Sequence, residues 1–319
     1  MNASVIPVIN LSDADERSLS NALDNACRDA GFFYLSGHGV DAALLDQTFD
    51  VMRDFFARSG EYKQRYHIRL SHPHQRGYVP LFEENLGEDV SRDFKESFDL
   101  GVDLPVDHPD VRASKPFAAP NVWPDATGFQ ETIAAYHAEM MRISAVLVRL
   151  TAEGLGLDPG YFDEAMGAPV ANLRLLHYPP GASGDDVIGC GAHTDYGFMT
   201  ILAQDDVGGL EIEGPDGVWI KVPPRDGCFV VNLGDLLTLW TSGRYKARKH
   251  RVAGSGARAR YSIPFFLDPN VDAMIATVPT CRSSEGPQRP PISAGDFLQS
   301  RFDATFNYRE KAASNLAIP

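Results

Sequence analysis

No stretch of this 319-residue sequence approaches the ~18 consecutive apolar residues that a membrane-spanning helix needs. The opening residues carry no basic segment followed by an apolar run, so no secretory signal is expected. Only four cysteines occur, Cys27, Cys190, Cys228 and Cys281, and none belongs to a CxxC pair. A disulfide framework and a cysteine zinc site are therefore not expected, and scattered thiols fit a reducing compartment. Basic residues are scarce, 29 against 43 acidic, which gives a net charge of −14. Phosphate backbones need basic surfaces, so no nucleic-acid footprint is expected; the run from Arg244 to Arg251 is too short to make one. Internal repeats and low-complexity segments are also missing. What remains, at 44% hydrophobic and 23% charged residues, reads as a cytoplasmic globular protein with a large core.

The chain opens as strand, helix, strand. Val5 to Ile9 is a short apolar run, and Leu19, Ala22, Leu23, Ala26 and Cys27 fall on one helical face, with Ser12 and Asp15 resembling a capping box ahead of it. Gly31 to Leu35 predicts a strand, and Ala42 to Ala57 a second helix. Residues 58–125 are poor in periodicity and read as binding loops, with short strands near Tyr78 to Leu81 and Glu96 to Leu100. Phe129 to Leu150 steps by threes and fours as a long amphipathic helix ended by Gly154 and Gly156. Beyond Ala171 short strands alternate with turns: 172–178, 200–203, 210–213, 219–222, 228–232, 248–252, 261–266 and 273–278, which predicts a β-sandwich or barrel. A last helix is expected over 294–308. The division is an N-terminal region with substrate loops (1–125) and a catalytic core (126–319), forming one structural unit.

Within the β-rich half stands His193-Thr194-Asp195. Residues i and i+2 of a strand face the same side, with Cα atoms roughly 6–7 Å apart, so both side chains can converge on one cation. His250 supplies a third donor. Two imidazoles and one carboxylate on one side of a metal, with the other positions open, suit ferrous iron. An isolated HxD also occurs by chance, and zinc hydrolases use the same donor types. His72-Pro73-His74 is a second candidate pair, but it sits in the loop region without a carboxylate at ligand spacing and reads as a solvated loop. His38 and His137 are expected to be structural.

Ten residues past His250 comes Arg260-Tyr261-Ser262 at the head of an apolar strand. Arg260 and Ser262 share a face, and a planar guanidinium with a hydroxyl beside it suits a carboxylate. At this point the sequence resembles the isopenicillin N synthase-like family of iron(II)/2-oxoglutarate-dependent dioxygenases. The likeness covers nearly the whole chain. It is carried by Ile6 to Ile9, by Gly31 to Leu35 with His38-Gly39-Val40, by Gly77 to Pro80 and by Lys95 to Asp99. His177-Tyr178-Pro179-Pro180, His193-Thr194-Asp195, His250-Arg251-Val252 and Arg260 to Phe266 complete it.

The resemblance implies a mainly β fold with helices, a distorted double-stranded β-helix (jelly roll) with supporting helices. It implies an oxidoreductase with Fe(II), 2-oxoglutarate and O₂, which oxidises a small molecule and releases succinate and CO₂. His193, Asp195 and His250 would hold the metal, and Arg260 and Ser262 the distal carboxylate of 2-oxoglutarate, assisted by Tyr178. Alternation puts Arg174 on the same face as Tyr178, so Arg174 is a further candidate for co-substrate or substrate. Leu176 stands where the family often has asparagine. Glu83, Glu84, Tyr196, Phe198 and Phe266 are candidate substrate contacts, with Phe302 and Thr305 behind them. Two rival readings stay open: a 2-oxoglutarate-independent iron oxidase of the same fold, and a non-catalytic jelly-roll ligand-binding protein.

Overall fold

The computed structural model describes residues 6–13, 15–71, 74–84, 93–181, 188–214, 216–254, 256–283 and 289–305. The N-terminal region contributes β1 (Val8–Asn10), α1 (Glu16–Asp29), β2 (Phe32–Ser36), α2 (Ala42–Phe56), α3 (Gly60–Gln64), β3 (Gly77–Val79), β4 (Glu96–Leu100) and α4 (Pro109–Arg112). The rest contributes α5 (Phe129–Gly154), α6 (Asp163–Met166), β5 (Val170–Tyr178), β6 (Cys190–His193), β7 (Met199–Gln204), β8 (Leu210–Glu213) and β9 (Trp219–Lys221). It closes with β10 (Phe229–Leu233), α7 (Asp235–Trp240), β11 (His250–Val252), β12 (Arg260–Asp268), β13 (Met274–Ile275), β14 (Ile292–Ser293) and α8 (Ala294–Thr305).

Eight strands form one sheet in the order β1-β2-β10-β7-β12-β5-β4-β3, and four form a second, β6-β11-β8-β9. Strands from the N-terminal region thus flank both sides of the larger sheet. Alternation sorts its side chains. Phe32, Tyr34, Leu176, Tyr178, Leu202 and Val230 meet Cys190, Leu210, Ile212, Ile220 and Val252 of the smaller sheet, which forms the core between the two sheets. The opposite face, with Phe33, Leu35, Leu173, Leu175, Ile201 and Phe265, packs against α1, α2 and α5. The two facing sheets with helices on one outer face are the expected distorted double-stranded β-helix.

Helix α5 is the scaffold predicted from spacing. Phe129, Ile133, Tyr136, Met140, Ile143 and Leu147 are fully buried on one stripe. It stops at Gly154, and Gly156 follows in the left-handed conformation (φ 71°) that glycine adopts without strain. At α1 the capping residue is Asp15, and its side chain takes the Ser18 hydroxyl instead of capping the backbone. The strand expected over 273–278 shrinks to two residues, because Pro279 begins a tight turn through Cys281. Strand β6 ends at His193, so Asp195 lies just past the strand and not within it. His72, Pro73 and the last turn expected for α8 lie outside the described residues.

Two core positions separate packing from polarity. Phe55 is buried among Phe56, Tyr62, Tyr66, Tyr78, Phe98 and Phe129, with ring centroids from 4.8 to 6.4 Å away. Phe55→Ala should cost about 3–5 kcal/mol in denaturant unfolding, through lost contacts and the cavity left behind. Tyr136 is fully buried and its hydroxyl has no hydrogen-bond partner among the described residues. Tyr136→Phe should be neutral or stabilising in the same assay, because no bond is lost and a buried dipole is removed.

Candidate metal centre and co-substrate pocket

Strand β11 pairs antiparallel with β6 so that His250 lies directly opposite His193, with ring centroids 4.3 Å apart. The turn after β6 brings Asp195 back to them: its Oδ1 is 3.7 Å from His193 Nε2 and 3.6 Å from His250 Nε2. Among the described residues this is the group whose His, Cys and carboxylate atoms converge closely enough to hold a metal. The turn requires a glycine at position 197, since a Cβ there would sit 1.3 Å from Asp268 Oδ1.

Each donor is oriented by a second bond. His193 Nδ1 lies 2.7 Å from the Gly191 carbonyl and His250 Nδ1 lies 3.2 Å from the Arg248 carbonyl. Donation from Nδ1–H to a carbonyl fixes the tautomer and leaves each Nε2 lone pair facing Asp195. Asp195 Oδ2 accepts from Asn232 Nδ2 at 2.6 Å and from the Thr200 hydroxyl, which leaves Oδ1 for a metal. Burial opposes ionisation of Asp195, yet the two imidazoles and these hydrogen bonds hold its carboxyl below the usual range. Burial, with His193 alongside, pushes His250 down to about 4, so its imidazole is neutral at physiological pH. Two imidazole nitrogens and one carboxylate oxygen, all on one side, fit Fe(II).

Arg260 heads β12 and is 1% exposed. Its Nε donates to the Gly208 carbonyl at 2.6 Å, Nη1 to Ser262 Oγ at 2.9 Å and Nη2 to Gln204 Oε1 at 3.4 Å. Tyr178, its register partner on β5, places its ring 4.7 Å beneath the guanidinium. Burial pushes the Tyr178 hydroxyl up to about 12, so it stays a donor. The hydrogen-bond partners of Arg260 are neutral, and although the Asp205 carboxylate feels its charge, none of the described carboxylates forms a direct ion pair with it. A buried charge without one is costly, and an anionic ligand would supply it.

A separate cavity of about 70 Å³ opens on the metal group, lined by His193 and Asp195 together with Glu84, Arg174, Tyr196 and Phe266. Arg174 belongs here and not with Arg260. Its Nε and Nη2 each lie 2.9 Å from the Asp99 carboxylate, and Nη1 lies 2.7 Å from Glu84. Leu176, opposite Ser262, stands between Arg174 and Tyr178 on β5. Burial works against Glu84, but Arg174 and Lys95 hold its carboxyl down at about 2. From α8, Phe302 and Thr305 close the cavity, and Thr305 bonds the Tyr196 hydroxyl.

Two expected substrate contacts fall elsewhere. Glu83 turns away to His67 and Arg69, each at 3.3 Å, where opposite charge is available outside the cavity. Phe198 is fully buried in the helix-side core against Phe162 and Trp240. His38 stacks on Phe229 at 4.1 Å and His137 meets the Ala171 carbonyl at 3.1 Å, both structural positions. The sequence reading missed Thr200, Asn232, Gln75, Asp99 and Asp268. Alternation from Arg260 through Ser262 and Phe266 does reach Asp268, which lines the cavity; burial and the charge of Asp195 push it up to about 8.

Residues 169–269 match the 2OG-Fe(II) oxygenase superfamily, and residues 6–126 match the non-haem dioxygenase in morphine synthesis N-terminal family. The 2-oxoglutarate-Fe(II) type oxidoreductase hxnY of Emericella nidulans is 32% identical over 98% of this chain and 91% of its own. The chain belongs to the 2OG-Fe(II) oxygenase superfamily. The 2-oxoglutarate-dependent dioxygenase citB of Monascus ruber is 34% identical over 94% of each chain. A full-length Neurospora crassa protein solved in complex with alpha-KG superposes with a TM-score of 0.83 at 29% identity, covering 94% of this chain and 96% of its own. A 2OG-Fe(II) oxygenase family protein from Caulobacter crescentus gives 0.83 at 31% identity, covering 94% and 99%. This superfamily member is therefore an iron(II)- and 2-oxoglutarate-dependent oxygenase of small molecules, of the isopenicillin N synthase-like kind.

The oxygenase's Asp195 is oriented by Asn232, and loss of such an orienting bond typically weakens metal affinity 10–100-fold. Asn232→Ala should weaken Mn(II) binding by about that factor in an anaerobic titration, with the folded state intact by circular dichroism. An unchanged affinity would mean that Asp195 is held by other means.

Proposed function

We propose that His193 and His250, through Nε2, and Asp195, through Oδ1, hold the ferrous ion, and that Arg260, Ser262 and Tyr178 receive the distal carboxylate of 2-oxoglutarate. The observation that carries this reading is the buried Arg260 guanidinium, which makes no direct ion pair among the described residues and lies over Tyr178, a residue of the core between the two sheets. A zinc hydrolase would have no use for it. When bound, iron supplies the redox chemistry with O₂. The protein's share is to keep His250 neutral, to aim one Asp195 oxygen at the ion and to neutralise the co-substrate's far end.

Substrate enters the cavity lined by Glu84, Arg174, Tyr196 and Phe266. Arg174 serves this cavity as the ion-paired partner of Glu84 and Asp99, which favours a place in its wall over a direct salt bridge to 2-oxoglutarate. The lining, apolar over most of its surface with a few charged groups, favours a small molecule with both polar and flat apolar parts. Two structural relatives give support: the Neurospora protein was solved with thymine as well as alpha-KG, and JOX2 with 2OG, Fe and JA. No helix of the described residues is long and apolar enough to cross a membrane, and all four cysteines are free, which supports work in the reducing cytoplasm.

The test is product analysis. Protein loaded anaerobically with Fe(II) and given O₂, 2-oxoglutarate and a panel of small heterocycles and organic acids should release succinate, and His250→Ala or Asp195→Ala should abolish this. Oxygen consumption without succinate would favour the 2-oxoglutarate-independent oxidase. Full activity in either variant would sink the metal assignment.

A further inference from the structure

Beside Arg260 the structure leaves one polar atom unanswered. Gln204 is the last residue of β7 and lies directly opposite Ser262 on β12. Directly opposite residues of an antiparallel pair face the same side, so Gln204, Ser262 and Arg260 present their side chains together. Gln204 Oε1 accepts from Arg260 Nη2 at 3.4 Å, and Gln204 Nε2 is buried with no hydrogen-bond partner among the described residues. The orientation of this amide is fixed by its neighbour: turned the other way, its NH₂ would meet a guanidinium N–H, donor against donor.

The donor count defines what the group can take. Arg260 Nη1 and Nη2 each use one hydrogen, on Ser262 and Gln204, and keep one. Ser262 Oγ accepts from Arg260, so its own hydrogen is free to donate. Gln204 Nε2 adds a further donor. With the Tyr178 hydroxyl, whose ring lies under Arg260, this cluster is rich in donors, and donors without acceptors suit a carboxylate. The acidic neighbour Asp205 interacts with Arg260 without hydrogen-bonding to it; its oxygens accept from the backbone amides of Tyr261 at 2.6 Å and Val207 at 3.0 Å.

We propose that Gln204 is a further recognition residue for 2-oxoglutarate: Oε1 holds the Arg260 fork in place and Nε2 donates to the distal carboxylate. This rests on the reading that Arg260 and Ser262 bind that carboxylate. A hydrogen bond to a charged group is stronger than one between neutral groups, so its loss has a measurable effect on affinity.

Calorimetry on Mn(II)-loaded protein with two probes provides the test: 2-oxoglutarate, and oxalate, which can chelate the metal but has no distal carboxylate to reach Arg260. Gln204→Leu should weaken 2-oxoglutarate about tenfold or more and leave oxalate unchanged. Gln204→Glu, of the same shape, should weaken 2-oxoglutarate further, because its carboxylate would occupy the Arg260 fork and repel the ligand. Equal losses for both probes in Gln204→Leu would make Gln204 a support of the metal site, and no loss for either would make it a spacer; both results overturn the proposal. Arg260→Ala separates the two levels of inference. Unchanged 2-oxoglutarate affinity in that variant would remove the underlying co-substrate reading, whereas a loss there without one in Gln204→Leu would remove only the role of Gln204.

Discussion

Everything in the metal centre depends on keeping one buried carboxylate ionised and pointed. Asp195 is 7% exposed, where a lone charge would protonate instead of binding a cation. Asn232 and Thr200, one on β10 and one on β7, bind one of its oxygens and leave the other facing two imidazoles. The eight-stranded sheet is therefore what aims the ligand: β10 and β7 are neighbours with Asn232 paired to Thr200. The smaller sheet supplies the two imidazoles of the candidate site through the β6–β11 pairing. The centre lies where the two sheets meet, and neither sheet holds it alone.

The same sheet geometry separates two polar regions along β5 and β12. Near their paired ends Tyr178 lies under Arg260, which makes no direct ion pair among the described residues, while Arg174 and Asp99, a few residues away, are directly paired. The difference has chemical consequences. An unmatched cation recruits an anion, whereas Arg174, locked by two carboxylates, presents a rigid, neutralised wall. Lys95 extends that network, pairing with Glu84 at 3.5 Å and with Asp93.

Much of this was legible along the chain. Periodicity located α1, α2, α5 and most strands of the β-rich half, because burial on one face leaves a repeating apolar signal. HxD and the later histidine pointed to a donor cluster, and the fold does bring His193, Asp195 and His250 together; each motif alone has other uses, and it was their order that pointed to one chemistry. Glu83 and Glu84 could not be told apart from sequence, as adjacent carboxylates differ only in which cations fold next to them. Phe198 looked like a pocket aromatic because it neighbours the motif, but the turn at Gly197 sends it to the opposite side of the sheet.

The sequence by itself determined the ligand types, the order of the motifs and the strand faces on which they fall, because these follow from side-chain chemistry and a two-residue repeat. Tertiary structure alone decided which residues serve them. Asn232, Thr200, Gln204 and Asp99 carry no local signature, and each acquires its role from a partner strand that approaches through sheet pairing or folding at long range. That pairing sets which buried charges are matched and which are left for a ligand, a property of contacts between distant segments that no local pattern encodes.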